Sequence, residues 1–277
     1  MTDNEQTRYP RGADQQLLES EHRRAIEEHE RRFREDHEAF LRNSELKAQA
    51  LNPVIDLLGA TREEVESAVA EQYRANRDLV RRIQLPPFEP PTGHNPTRYP
   101  PYDFSWSGIN CGGIDACQLY GPNAATGEVG ADLFTSTAGG ASSGAYVGDW
   151  FYSQSEDTWA ASVQAYVYGV GYIAAAFGYA SAYAGLQLFI RDHSTGDVYV
   201  TTTDIYNKSA DVFGFDVTQF NGQTYTAFRS IPVHANAWYE VWGGAVQHAY
   251  AGGAAADALS SFGMWISPIA ANSFIIF

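Results

Sequence analysis

A carboxylate set between aromatic side chains is the clearest candidate for chemistry in this sequence. Glu240 lies in the run Trp238-Tyr239-Glu240-Val241-Trp242. Side chains alternate between the two faces of a strand, so Trp238 and Trp242 would share a face. A carboxylate among aromatic rings can have a raised pKa, and flat rings stack on sugar rings while acids bind sugar hydroxyls. The competing interpretation is that Glu240 is an ordinary outward position of an alternating strand.

A second aromatic pair follows the same logic. Tyr166 and Tyr168 alternate with apolar residues in the run 163–168, which is the period of a half-buried strand. Large aromatic residues also dominate protein cores and subunit interfaces, so a packing role competes with a binding role at each position. The candidate ligand-binding residues are Trp238, Glu240, Trp242, Tyr166 and Tyr168.

Two cysteines lie close together at Cys111 and Cys117. Two thiols are too few for a structural zinc site, which takes four ligands. A disulfide closing a short loop is one interpretation, and two reduced, half-buried thiols are the other. Disulfides persist in oxidising compartments, so a bond here would indicate an extracellular setting.

Motifs for catalysis, metal binding or phosphate binding are missing from the sequence. No Gly-x-Ser-x-Gly nucleophile turn, calcium loop or Gly-Lys-Thr/Ser phosphate loop is present. Asp192, His193 and Asp197 share one loop and could hold a cation, but Asp and His are also ordinary turn residues. We therefore predict no catalytic residue, no metal and no cofactor, and we expect the chain not to be an enzyme.

The residues from 102 to 277 are expected to form one all-β domain. Short segments rich in β-branched and aromatic residues are bounded there by Gly, Asn and Asp, which predicts an antiparallel β-sandwich, with a jelly roll as one form of it. His193-Ser194-Thr195-Gly196 and Asn221-Gly222 are predicted as hairpin turns. Ala-rich 174–184 and 251–260 have a helical alternative. The expected strands are 117–120, 128–135, 145–153, 159–168, 172–182, 185–191, 197–206, 211–217, 224–233, 237–250 and 262–276.

The residues from 14 to 85 are predicted to be helical, as a helical hairpin or a coiled-coil segment. Strong helix formers run from Asp14 to Leu51, and Thr61 with Glu64 forms a capping box that begins a second helix. The apolar stripes are narrow, so the helices need a partner: each other, another copy of the chain or the β domain. The stripes are Leu18, His22, Ala25, His29, Phe33, His37 and Phe40 in the first helix, and Val65, Val69, Tyr73, Asn76, Val80 and Ile83 in the second.

The remaining segments complete an α plus all-β organisation. Residues 1–13 are polar and are expected to be disordered. Residues 86–101 contain seven prolines and predict an extended, semi-rigid linker.

Charge and hydropathy exclude several classes of function. Residues 103–277 hold three Lys and Arg against 14 acids, a net charge of −11, so this half cannot bind nucleic acid through clustered cations. No apolar run is long enough for a membrane span. The first residues do not resemble a Sec signal peptide, which favours a cytoplasmic location or export by another route.

Four functional hypotheses follow. The first is a non-enzymatic structural protein that forms a homo-oligomer through its helices and displays the sandwich as a head. The second is a carbohydrate-binding head, as in an adhesin or a fibre tip, with glycans as partners. A glycan-directed enzyme and a pore-forming protein are less favoured, because no constellation of residues supports the first and only the alternation of 163–184 supports the second.

Overall fold

The computed structural model describes residues 97–112, 116–211 and 214–273, together with the single positions Ser20, Arg24 and Glu64. These three positions are helical, which is too little to define a helix. The predicted helices within 14–85, the disordered 1–13 and most of the linker 86–101 therefore lie outside the described residues. In the described part of the chain, no helix has the length and apolar character needed to cross a bilayer.

The described chain is built from antiparallel strands, three of which are unusually long. A typical strand has about five or six residues, whereas β4, β5 and β8 have 26, 36 and 37. The strands are β1 Thr97–Arg98, β2 Phe104–Gly112, β3 Ala116–Leu119, β4 Glu128–Ser153, β5 Asp157–Asp192, β6 Val198–Asp211, β7 Gly214–Val233 and β8 Ala237–Ser273.

Each long strand contributes to two sheets, so the domain is a β-sandwich. β8 lies between β4 and β5 along most of its length. Sheet I contains, in order, β2, residues 138–153 of β4, residues 237–252 of β8, residues 178–192 of β5, and β6. Sheet II contains, in order, β3, residues 128–136 of β4, residues 257–273 of β8, residues 157–175 of β5, and β7, with β1 beside the end of β8.

The two sheets face each other because the long strands fold back on themselves. Gln247 donates from Nε2 to the carbonyl oxygen of Phe262 over 3.3 Å, although both residues belong to β8 and are 15 residues apart. A straight strand would separate them by about 50 Å. Ser260 of sheet II likewise donates to the carbonyl oxygen of Tyr183 in sheet I at 2.7 Å. Both bonds cross the space between the sheets.

The core between the sheets is made largely of small aliphatic residues. In β5, Ala161 and Ala165 of sheet II and Ala182 of sheet I are fully buried. Leu186, Leu188 and Ile190 extend the inner face of sheet I. Glycines allow the sheets to approach closely where larger residues sit opposite. A Cβ at Gly243 would meet side chains of Val163 and Ile266, and one at Gly171 would overlap the Tyr206 ring.

Several predicted breaks between strands are wrong. The predicted gaps at 136–144, 169–171, 183–184 and 251–261 lie inside β4, β5 and β8, and the Ala-rich segments 174–184 and 251–260 are strands. Gly, Ala and Ser clusters are typical of turns in a sequence, but here they occupy the middle of long paired strands. The strand β2, which was not predicted, pairs with β4 from Phe104 to Gly112.

The predicted hairpin turn at Asn221-Gly222 is also wrong, because both residues lie within β7. The register with β5 shifts there: Tyr168 faces Asn221 and Val167 faces Gln223, so Gly222 is the extra residue. Its φ of 86° is the left-handed conformation that glycine adopts easily in a β-bulge. The residues His193 to Gly196, in contrast, do connect β5 to β6.

We predict that Gly243→Ala lowers the free energy of unfolding by about 1–3 kcal/mol, since the added methyl group overpacks the contact between the sheets. Gly263→Ala is a matched control in the same strand, because a Cβ there meets no described atom within 4 Å. Urea unfolding of the whole chain, followed by tryptophan fluorescence, measures both variants. All six tryptophans lie between residues 106 and 265, so the signal reports on the sandwich. Equal stability of the two variants would contradict the prediction.

Candidate functional site

The surface of sheet I that points away from the core carries a continuous cluster of aromatic rings, called here the aromatic face. In β8, Tyr239 and Val241 point into the core, so Trp238, Glu240 and Trp242 point outward together. The pairing register places Tyr152, Trp150 and Gly148 of β4 opposite these three residues. The rings of the aromatic face are those of Phe104, Trp106, Tyr146, Trp150, Tyr152, Phe189, Trp238 and Trp242.

The rings of this face contact one another in sequence across the strands. Tyr152 and Trp238 have centroids 5.0 Å apart, and Trp150 stands edge-on to Trp238 at 6.3 Å. Further along, Phe104 lies 4.1 Å from Trp242. Trp106 lies 5.7 Å from Tyr146. Trp242 and Phe189 are buried beneath their neighbours, whereas Trp106, Tyr152 and Trp238 are half-buried and form the upper layer.

Glycines in the strands let two rings lie close to the backbone of the sheet. A Cβ at Gly148 would overlap the ring of Phe104, and a Cβ at Gly244 would overlap the ring of Tyr146. Gly244 and Tyr146 are direct cross-strand partners, so the ring covers the backbone of the residue opposite. Aromatic rings commonly stabilise strand glycines in this way. The result is an aromatic floor whose rings are inclined to one another by 40° to 87°.

Glu240 is held within this floor by two donors. It is 1% exposed, and its Oε1 lies 2.9 Å from Nε2 of His193. Its Oε2 accepts a 3.3 Å hydrogen bond from the indole N–H of Trp242. The His193 ring also packs against Trp150 with centroids 5.0 Å apart. A buried carboxylate is costly unless it is paired and hydrogen-bonded, so this arrangement fixes the orientation of the surrounding rings.

Polar side chains border the floor along β5 and β6. The Tyr146 hydroxyl donates to Oε1 of Gln187 at 2.7 Å, and Gln187 donates from Nε2 to Thr202 at 3.1 Å. Burial raises the pKa of Tyr146 above its usual range, so it remains a neutral donor. Tyr183 donates to Asp204 at 2.8 Å. These amide, hydroxyl and carboxylate groups are suited to binding hydroxyl groups.

The loop containing Asp192, His193 and Asp197 serves a structural purpose. Asp192 is buried, and its Oδ1 accepts hydrogen bonds from the backbone and side chain of Ser194, while Oδ2 accepts one from Tyr239. Burial would raise the pKa of Asp192, but the hydrogen bonds outweigh it and lower the pKa. Within the described residues, no three His, Cys, Asp or Glu side chains are grouped to hold a metal.

A pair of carboxyl groups, Asp103 and Asp149, lies at one end of sheet I. Asp149 is buried, accepts a 2.7 Å hydrogen bond from the Trp150 backbone N–H, and lies 3.7 Å from Nε of Arg98. Burial, then the hydrogen bond and negative charge of Asp103, raise the pKa of Asp149 from 3.8 to about 7 against the opposing effects of Trp150 and Arg98. Asp149 therefore keeps its proton up to about neutral pH.

The sequence-predicted residues do not form one site. Trp238, Glu240 and Trp242 lie together on sheet I, whereas Tyr166 and Tyr168 lie on sheet II, where they are opposite Trp265 and Gly263 of β8. The prediction missed Phe104, Trp106, Tyr146, Trp150 and His193. Their positions depend on the pairing of β2, β4 and β8, and no short sequence motif indicates that pairing.

Cys111 and Cys117 form a disulfide bond with their Cα atoms 6.1 Å apart. Cys111 lies near the end of β2 in sheet I, and Cys117 lies in β3 of sheet II. The bond therefore links the edge strands of the two sheets, both of which pair with β4.

No protein-family model matches the chain, and no curated protein matches it. Among solved structures, the chain is similar to the module TmCBM61 in complex with beta-1,4-galactotriose, with 12% identity and a TM-score of 0.22 over 57% of this chain and 86% of that one. It is also similar to the CBM22-1–GH10 modules of the Clostridium thermocellum xylanase 10B complexed with xylohexaose, with 11% identity and a TM-score of 0.21. That match covers 61% of this chain and 30% of the xylanase chain. Overlap this limited assigns no ligand to this chain.

We predict that Asp149→Asn removes a pH dependence of stability. The folded pKa of about 7 lies above the ordinary 3.8, so the native state binds the extra proton and wild-type stability falls as the pH rises between these values. The amide keeps the hydrogen bond to Asp103 without gaining charge. The variant should therefore gain on the order of 1–3 kcal/mol relative to wild type between pH 4 and pH 8. Parallel stability curves, measured by urea unfolding, would contradict this.

We predict the opposite sign for Asp192→Asn. The folded pKa of Asp192 is lowered, so its contribution to stability is present above the unfolded pKa and is lost as the pH falls through the folded value. The variant should be about 1–3 kcal/mol less stable than wild type at pH 7, because charge-assisted hydrogen bonds are lost. The deficit should shrink below pH 4. A deficit that stays constant with pH would show that the carboxylate charge is unimportant.

Proposed function

We propose that the aromatic face of sheet I binds a glycan and that the chain is a non-enzymatic carbohydrate-binding protein. The observation that carries this proposal is the continuous aromatic floor, in which two rings cover strand glycines and the half-buried Trp106, Tyr152 and Trp238 form the upper layer. Sugar rings have apolar C–H faces that stack on aromatic faces, and they carry hydroxyls that need hydrogen-bonding partners. Both requirements are met along this surface.

Charge favours a neutral glycan. Residues 103–277 carry a net charge of −11, which repels sugars that bear carboxylate or sulfate groups. The carboxylate within the floor, Glu240, faces His193 and Trp242 rather than solvent. The polar border of Gln187, Thr202 and Asp204 offers both donors and acceptors. Neutral hexose or pentose chains therefore fit this surface best.

The burial and hydrogen bonding of Glu240 support a binding role without catalysis. A glycoside hydrolase uses two carboxyl groups that flank the scissile bond, one of them free to donate or accept a proton at that bond. Glu240 is buried and has both oxygens engaged. Asp103 and Asp149 are another close pair of carboxyl groups, and these two groups are hydrogen-bonded to each other.

The order of the half-strands supports a jelly roll as the type of sandwich. β4, β8, β5 and the combined β6 and β7 form one ladder of four double-length strands. Folding this ladder across its middle gives two sheets with the connectivity of a jelly roll. Self-association through residues 14–85, the other predicted role, rests on residues that the structure does not describe and remains a prediction.

The test is binding to a panel of soluble neutral polysaccharides, measured by affinity electrophoresis and then by calorimetry. We expect Trp238→Ala and Trp106→Ala each to weaken binding about fivefold or more, because each lost stacking contact is worth about 1 kcal/mol or more. Neither variant should unfold the sandwich, since both side chains are half-buried on its outer surface.

Phe228→Ala is the matched control, because Phe228 is an aromatic residue on sheet II that is 52% exposed. It should bind as the wild type does. If all three variants lost the same amount of affinity for the glycan, the binding site would not be the aromatic face. A wild-type chain that binds no member of the panel would overturn the proposal.

A further inference from the structure

The outer surface of sheet II carries an apolar row of a different kind. Leu133, Ile173 and Ala258 point into the core, so their neighbours Phe134, Tyr172 and Leu259 point outward. The register joins these residues in one row: Phe134 faces Leu259, Leu259 faces Tyr172, and Tyr172 faces Val217. Phe215 contacts the Tyr172 ring with centroids 5.8 Å apart. The apolar stripe is defined as Phe134, Leu259, Tyr172, Val217 and Phe215.

The burial of this stripe is unusual for its position. The outer face of a two-layer sandwich meets solvent unless a further layer covers it, yet Phe134, Tyr172 and Leu259 are 0%, 0% and 2% exposed. At the edge strand β7, Phe215 and Val217 remain 49% and 45% exposed. Side chains that point away from the core yet are buried need a covering layer, and the exposed Phe215 and Val217 continue the same apolar row.

We propose that the N-terminal segment, residues 14–85 of the same chain, packs on the apolar stripe as a third layer. The predicted helices of this segment have narrow apolar stripes that need a partner, and isolated helices are marginal in water. The stripe on sheet II supplies such a partner.

The connection between the two parts has a length close to the distance to this surface. The chain joins the sandwich at β1, where Thr97 pairs with Ala270 of β8 in sheet II. From Ala270 to Leu259 is about 37 Å along the strand. The Pro-rich residues 86–96 span about 34 Å when extended. Because β1 runs antiparallel to β8, the chain enters β1 from the Ser273 end. A linker of this length that turns back along the sheet brings the end of the second predicted helix close to the stripe.

The charges beside the apolar stripe and those on the second predicted helix are opposite in sign. Asp132 and Asp257 occupy the cross-strand rows on either side of the row that contains Leu259. The second predicted helix carries Arg74, Arg77, Arg81 and Arg82 around its apolar positions. Acids beside an apolar row on one surface and arginines beside an apolar row on the other are complementary.

Trypsin digestion of the whole chain tests the proposal directly. Residues 14–85 contain 12 of the 18 Lys and Arg, whereas residues 103–277 contain three, so cleavage reports mainly on the N-terminal segment. We expect the double variant Phe215→Glu, Val217→Glu to be cut in this segment at least tenfold faster than wild type, because cleavage follows the population of the undocked segment. Phe228→Glu, in the same strand but away from the stripe, should be cut at the wild-type rate.

Light scattering and binding measurements complete the experiment. We expect a monomer whose protection from trypsin does not change on dilution. An oligomer whose protection falls on dilution would show that the helices pair between copies and would overturn the proposal, as would equal cleavage of all three proteins. If the double variant loses its native tryptophan fluorescence, Phe215→Ser alone replaces it with the same expected direction. Glycan binding by sheet I should survive in each folded variant, so failure of this proposal is distinguishable from failure of the proposed function.

Discussion

The close approach of the two sheets is the constraint on which the rest of the structure depends. Three strands of 26 to 37 residues must fold back so that residues of one strand meet across the core, as Gln247 and Phe262 do. Large residues on both inner faces would hold the sheets apart. The sequence avoids this by placing alanine and glycine where a large side chain projects from the opposite sheet, as Gly243 does beneath Val163 and Ile266. The high content of Gly and Ala is therefore a packing requirement.

The same use of glycine shapes the outside of sheet I. Gly148 and Gly244 leave room for the rings of Phe104 and Tyr146 to lie against the backbone. A side chain at either position would lift the ring and tilt it away from the sheet. The buried Glu240, held by His193 and Trp242, then limits the rotation of neighbouring rings. A rigid floor loses little conformational entropy when a ligand stacks on it.

The sequence predicted the class of the described part but not its connectivity. Alternation in 163–168 correctly indicated a half-buried strand, whereas in 238–242 only Trp238 is half-buried. Short β-rich segments bounded by turn residues indicated one β-sandwich. Strand ends were misplaced wherever glycine served packing or a bulge instead of a turn, as at Gly222 in β7. The sequence predicted only part of the candidate site. Trp238, Glu240 and Trp242 could be grouped because they are neighbours in sequence. Trp150 and His193 join them only through strand pairing and through the loop after β5.

The outer faces of the two sheets differ in a way that follows from their composition. The face of sheet I combines rings with amide, imidazole and carboxylate groups, so it can satisfy a ligand that has both C–H faces and hydroxyls. The apolar stripe of sheet II has aliphatic and aromatic groups in one row, with acids in the adjacent rows. A ligand rich in hydroxyls would lose hydrogen bonds to water there without replacement, whereas an amphipathic helix would not. The disulfide between Cys111 and Cys117 and the shared strands keep the two faces in a fixed relation. A partner on sheet II therefore leaves sheet I open, and the two surfaces can act at the same time.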